Sequence, residues 1–194
     1  MSEATAKMFV GIKVPKDIAT SLGDFRNAHL QNLQDVRWTT TDDLHLTLKY
    51  LGTQTESSAK LIAEGLAKIS QSPLDIVLSD SGVFRDVGVL FISVVRAPEL
   101  MRFQTTVDLV AFRNGVPPSE HPYNPHITIA RLNNELVKLK SPKTLFDQIP
   151  EQLDKFCQRL PRHHFRATEM TLFKSVSGRY SLLRSFQLRD EVQQ

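Results

Sequence analysis

His45-Leu46-Thr47-Leu48 and His126-Ile127-Thr128-Ile129 are two copies of one pattern: histidine, aliphatic, threonine, aliphatic. Both lie in runs that read as β-strands, where alternate side chains share a face. His45 and Thr47 then point the same way, as do His126 and Thr128, while the aliphatic residues between them turn to the core. Imidazole titrates near neutral pH, with an unperturbed pKa of about 6.5. One histidine can therefore take a proton from a nucleophile while the other gives one to a leaving group. A threonine hydroxyl can donate a hydrogen bond to a phosphoryl oxygen. Together these groups suit the making or breaking of a phosphoester bond with no metal ion. One copy would be an ordinary half-exposed strand. Two copies, one in each half of the chain and 81 residues apart, point to a site built from paired His-Thr units.

The rest of the chain supplies elements to position them. Residues 7–14 read as a strand, and Pro15 opens a helix to about residue 33 with Ile18, Leu22, Phe25, Leu30 and Leu33 along one stripe. Residues 36–39 and 45–51 read as strands, and 57–69 as a second amphipathic helix carrying Leu61, Ile62, Leu66 and Ile69 inward. Residues 74–84 and 87–95 form a hairpin around Arg85-Asp86. Residues 98–114 make a third helix, with Leu100, Phe103, Val107, Val110 and Ala111 inward and Gly115 closing it. The second motif strand covers 126–131, Ser141-Pro142 begins a helical stretch interrupted at Pro150, and 165–175 with 180–188 close the chain as a hairpin. No Gly/Ser-rich linker or low-complexity segment divides it. The expectation is an α+β fold in a single bilobal domain over residues 1–194. Its two pseudo-symmetric lobes, each an antiparallel sheet with outer helices, would face each other across a central cleft.

Composition excludes several classes. A net charge of +3 and a pI near 9.1 permit an anionic ligand but fall short of a strong nucleic-acid footprint. The single cysteine, Cys157, allows no internal disulfide and reads as a packing residue in a reducing compartment. The N-terminus has no secretory pattern and no apolar run spans a bilayer, so a cytoplasmic protein and a monomer are expected. No Cys/His/Asp cluster completes a zinc site, no GxSxG elbow is present, and Walker and Rossmann glycine loops are missing, which argues against an ATP-driven ligase. No cofactor is expected. Trp38 and Phe84 read as core aromatics, His121 as loop surface and His29 as a helix-boundary residue. Tyr123 sits in the proline-stiffened stretch 121–125 that approaches His126. His163 and His164, with Arg159, Arg162 and Arg166, read as a solvated surface rather than a grip on RNA.

The chain resembles the two-histidine phosphoesterases, specifically the RNA 2′,3′-cyclic phosphodiesterase or 2′-5′ RNA ligase-like family. The likeness runs from Met8-Phe9-Val10-Gly11-Ile12 and Pro15 through Val36-Arg37-Trp38 and the stretch His45 to Gly52. It continues through Gly82-Val83-Phe84, the stretch Pro125 to Arg131, Leu172-Phe173-Lys174-Ser175 and Gly178-Arg179-Tyr180. The resemblance implies the same bilobal architecture and hydrolysis of RNA 2′,3′-cyclic phosphate ends to 2′-phosphomonoesters. It implies His126 as the proton acceptor, His45 as the proton donor, and a partner RNA or oligonucleotide with a cyclic phosphate end. ATP-independent 2′-5′ joining is the reverse reaction. Thr47 and Thr128 would bind the phosphate. The resemblance also gives Arg131 a phosphate-binding role, although strict alternation from Thr128 puts it on the opposite face unless the strand bends, bulges or ends. The first motif carries Tyr50 at that offset, where it could stack on a base or pack in the core. Two alternatives stay open: a non-catalytic module that binds RNA ends, and a 2′-5′ phosphodiesterase of small nucleotides.

Overall fold

The computed structural model describes residues 3–29, 36–132, 164–176 and 179–189. The stretch from Ser141 expected to be helical, together with Leu30, Leu33, Cys157, Arg159, Arg162 and His163, lies outside them. The strands are β1 (Thr5–Lys13), β2 (Val36–Trp38), β3 (His45–Thr55), β4 (Leu74–Phe84), β5 (Val89–Val94), β6 (His126–Leu132), β7 (His164–Ala167), β8 (Glu169–Val176) and β9 (Arg179–Gln187). Among the described residues three α-helices accompany them: α1 (Lys16–His29), α2 (Glu56–Leu66) and α3 (Pro98–Arg113). The α+β expectation holds. Local chemistry sets the ends. Thr55 caps α2 by accepting from the Ser58 amide, Pro98 supplies the fixed φ that suits a first turn, and Gly115 follows α3 with φ +85°.

All pairings are antiparallel, and the strand order is β7-β4-β5-β6-β3-β1-β8-β9 with β2 beside β6. The two expected halves are visible as mirror orders about the centre: β6-β5-β4-β7 on one side, β3-β1-β8-β9 on the other. They are one sheet rather than two. The seam is the single pair Leu46↔Ile127, the central aliphatic residues of the two motifs, both fully buried. The motif strands are therefore direct neighbours.

The expected strand over 165–175 is two strands. It breaks at Thr168; β7 pairs with β4 at one edge of the sheet, while β8 pairs with β1 in the other half. The alternation slips there: Phe165 and Ala167 are buried before the break, Met170 and Leu172 after it. Crossing between opposite ends of the order in one residue requires the sheet to curl until its ends approach, and a Gln71↔Arg189 bridge ties them as well. The core lies between the sheet and the helices. Ile18, Ala19 and Leu22 of α1, Ala59, Ile62, Ala63 and Leu66 of α2, and Leu100, Phe103 and Val107 of α3 share one cluster with Leu46, Leu48, Ile127 and Ile129. Each large member contributes about 1.5–3 kcal/mol by leaving water. Leu61, expected inward, is 57% exposed because α2 turns it off its buried stripe. No helix of the described residues is long and apolar enough to cross a membrane.

Candidate active site

The same backbone device follows both motifs. Along β1, Gly11 pairs with Thr47 but Val10 pairs with Lys49, so Leu48 is an extra residue in β3. Along β5, Phe91 pairs with Thr128 but Leu90 pairs with Ala130, so Ile129 is an extra residue in β6. Each is a β-bulge, and each flips the alternation downstream. Leu48 and Lys49 are both buried, as are Ile129 and Ala130, and the next residue turns outward. That residue is Tyr50 in one half and Arg131 in the other. The bulge resolves the parity problem of Arg131: it lines the same cleft as His126 and Thr128.

That cleft, about 670 Å³, gathers His45, Thr47, Tyr50, His126, Thr128 and Arg131. Tyr50 is 55% exposed, which removes the core reading. The two imidazoles are held alike. His45 Nδ1 lies 2.6 Å from the Asp43 carbonyl, and His126 Nδ1 lies 2.7 Å from the Asn124 carbonyl. A carbonyl only accepts, so each Nδ1 carries a hydrogen and each neutral ring keeps its lone pair at Nε2 for proton transfer. The rings rest on different aromatics. His45 stacks on Phe9 (4.5 Å, 28°) and meets Tyr180 edge-on at 5.2 Å. His126 meets Phe84 and Phe91 edge-on, at 5.0 and 5.4 Å.

Burial holds both histidines below the usual imidazole pKa of 6.5, because a charged ring loses solvation. For His45 this is opposed by the hydrogen bond to the Asp43 carbonyl and by the Asp43 carboxylate, and reinforced by the positive charges of His126 and Arg131. For His126 the Asn124 carbonyl opposes and Arg131 reinforces; among the described residues no carboxylate helps. Thr40 Oγ1 donates to Asp43 Oδ2 at 2.7 Å and fixes that side chain beside the cleft. Four cations line the space, Lys7, Arg37, Arg131 and Arg179, against the one carboxylate of Asp43. None of the four is paired with a carboxylate among the described residues. The cleft is built for an anion.

The first bulge is fastened from the other half of the chain. The Tyr123 hydroxyl donates to the Thr47 carbonyl at 3.0 Å, and Gln104 Nε2 donates to the Leu48 carbonyl at 3.3 Å. Lys49, only 3% exposed, forms an ion pair with Asp108 of α3 and donates to the Pro117 carbonyl (3.0 Å) and Ser119 Oγ (3.2 Å). Burial drives the Tyr123 phenol above its ordinary pKa, so it remains a donor. Gly11 allows β1 to approach: a Cβ there would sit 2.8 Å from the Leu46 carbonyl oxygen.

All six residues singled out from the sequence thus share one space. Trp38 is half-buried and borders the cleft besides packing on the core, and Phe84 abuts His126. His121 is exposed, as expected. Residues the sequence reading gave no role are Lys7, Phe9, Arg37, Asp43, Ser175, Arg179 and Tyr180, all on the cleft wall. A glycine inside a strand, Gly11, was one available signal of close approach. Among the described residues no group of three or more His, Cys, Asp or Glu could hold a metal ion.

A model of the 2′-5′ RNA ligase superfamily matches residues 14–179. The chain is 27% identical over 137 residues to the RNA 2′,3′-cyclic phosphodiesterase of Escherichia coli (strain K12), covering 70% of this chain and 77% of that protein. It is 27% identical over 137 residues to the protein of the same description from Bacillus subtilis (strain 168), covering 68% and 74%. The crystal structure of E. coli LigT in apo form superposes with a TM-score of 0.74 at 25% identity, over 97% of this chain and all of that one.

Proposed function

This chain belongs to the 2′-5′ RNA ligase superfamily, and from that membership and the cleft we propose that it hydrolyses RNA 2′,3′-cyclic phosphate ends to 2′-phosphomonoesters. The observation that carries the reading is the matched pair of imidazoles, each held by a carbonyl at Nδ1, in one cleft with two threonines and a guanidinium that has no carboxylate partner among the described residues.

His126 Nε2 takes a proton from water as the water oxygen bonds to phosphorus. The bond from phosphorus to the 3′ oxygen breaks, and His45, entering as imidazolium, gives its Nε2 proton to that oxygen. The 2′ ester bond survives. Solvent then exchanges the protons back. Against the burial that disfavours a charged His45, Asp43 and the face of Phe9 favour the positive charge that a donor needs. His126, held below the usual imidazole value mainly by its burial, serves as the acceptor. Thr47, Thr128 and Arg131 donate to the non-bridging oxygens, where negative charge accumulates. A 5′-hydroxyl in place of water gives a 2′-5′ linkage by the same steps. No step calls for a metal.

The test is an oligonucleotide ending in a 2′,3′-cyclic phosphate, incubated with the protein in EDTA. The expected product carries a 2′-phosphate alone. A 3′-phosphate product would overturn the assignment, as would complete loss in EDTA restored by one divalent ion.

A further inference from the structure

We propose that Lys7, Ser175 and Arg179 form a second phosphate subsite, which takes the phosphodiester one nucleotide upstream of the cyclic phosphate. This deepens the reading above and rests on His45 as the proton donor. In a 2′,3′-cyclic phosphate both bridging oxygens belong to one ribose. In-line displacement sets the departing 3′ oxygen opposite the entering water, so the donor stands on the ribose side. The ribose, and all of the chain attached through its 5′ oxygen, must then lie along the wall that carries His45. Only water needs room on the His126 side.

The His45 wall is built from β1, β8 and β9, side by side. Lys7 pairs with Ser175, Ser175 with Tyr180, and Val176 with Arg179. Lys7 shares a strand face with Phe9, the ring beneath His45, and Ser175 shares one with Phe173, which stacks on Phe9 at 4.8 Å. The patch therefore begins one strand repeat, about 7 Å, from the reacting centre. Tyr180 closes the interval, edge-on to both His45 and Phe9. Lys7 and Arg179 are exposed, line the cleft and have no carboxylate partner among the described residues. The remaining cation, Arg37, pairs in register with Arg131 and belongs with the reacting phosphate. These two cations and a hydroxyl on the leaving-group wall fit one more phosphodiester of a single strand. The preferred substrate is then an oligonucleotide end rather than a cyclic mononucleotide.

Three substrates test this with the full chain: adenosine 2′,3′-cyclic phosphate, the dinucleotide ApA ending in a 2′,3′-cyclic phosphate, and that dinucleotide with an uncharged methylphosphonate linkage. The charged dinucleotide should exceed the other two in kcat/KM by about tenfold. Lys7→Ala and Arg179→Ala should each lower its kcat/KM roughly fivefold and lower that of the methylphosphonate far less; Lys7→Arg should keep the preference. The slope of log kcat/KM against log salt should also flatten, by about 0.7 per lost phosphate contact. Equal losses on the charged and neutral dinucleotides would overturn the subsite, as would wild-type indifference among the three. In both cases hydrolysis persists and the cyclic-phosphate reading stands. No hydrolysis of any of the three would overturn both.

Discussion

The half of the cleft around His45 and the half around His126 share a backbone and differ in almost every side chain that meets it. Both have a histidine tied through Nδ1 to the carbonyl two residues earlier, a threonine two residues later, and a bulge at the next position. Against that common frame, Asp43 faces Asn124, Tyr50 faces Arg131, and a stacked Phe9 faces the edge-on Phe84 and Phe91. The frame delivers two imidazole Nε2 atoms to one place. The substitutions make them unequal, which suits the proposed pair of proton transfers in opposite directions. Symmetry supplies geometry here, and departures from it supply polarity.

The strongest way to break this comparison is to remove each histidine. His45→Ala and His126→Ala should each lower kcat by about 10²–10⁴. They should differ with a substrate whose leaving oxygen is already a weak base. Such a substrate restores the His45 variant, which lacks a proton donor, and leaves the His126 variant slow. Equal restoration would show that the halves are interchangeable.

Exchange at the outward positions comes next. Arg131→Ala should lower kcat/KM by about ten- to a hundredfold, because a charged forked donor is lost. Tyr50→Ala should raise KM by only a few-fold and leave the pH profile in place. Thr47→Val and Thr128→Val fall between, at about five- to tenfold each for one neutral donor. All of these should lower the pH–rate curve without removing a limb.

The subtlest test moves a charge. Burial puts both imidazoles below 6.5, so the bell should centre on the acid side of that value. On the proposed roles the acid limb reports His126 as the neutral acceptor, and the alkaline limb reports His45 as the charged donor. Asp43→Asn removes a carboxylate that favours charged His45, so the alkaline limb should move to lower pH. Asn124→Asp should move the acid limb to higher pH. Movement of the opposite limbs would reverse the roles of donor and acceptor.

The paired motifs were legible because period-two alternation is a local property, and His45, Thr47, His126 and Thr128 obey it. Arg131 and Tyr50 were harder. A bulge is defined by the register of the partner strand, and Leu48 and Ile129 look like any other inward aliphatic residue. The mirror order of strands was foreseeable from the repeat, but their merger through Leu46↔Ile127 was not, since sheet edges meet through tertiary packing. The break at Thr168 left a trace in the slipped apolar phase between Ala167 and Met170. Lys7, Phe9, Ser175 and Tyr180 reach the cleft only through pairings across β1, β8 and β9, which no local pattern encodes. The buried Lys49 contradicts composition rules until its partner Asp108, far along the chain, is known.

The bonds that fasten the first bulge also set an order of assembly. Thr47 waits for Tyr123, 76 residues later, and Lys49 waits for Pro117 and Ser119, 68 and 70 residues later. On a ribosome adding about 5–20 residues per second, that delay is roughly 4–15 s. Until then the Thr47 carbonyl lacks the Tyr123 hydroxyl, and Lys49, although Asp108 has been made, lacks two of its oxygen acceptors. The stretch that completes the first motif also ends at His126. That stretch supplies both the clasp on the first bulge and the approach to the second histidine, and a chain that ends before it has neither.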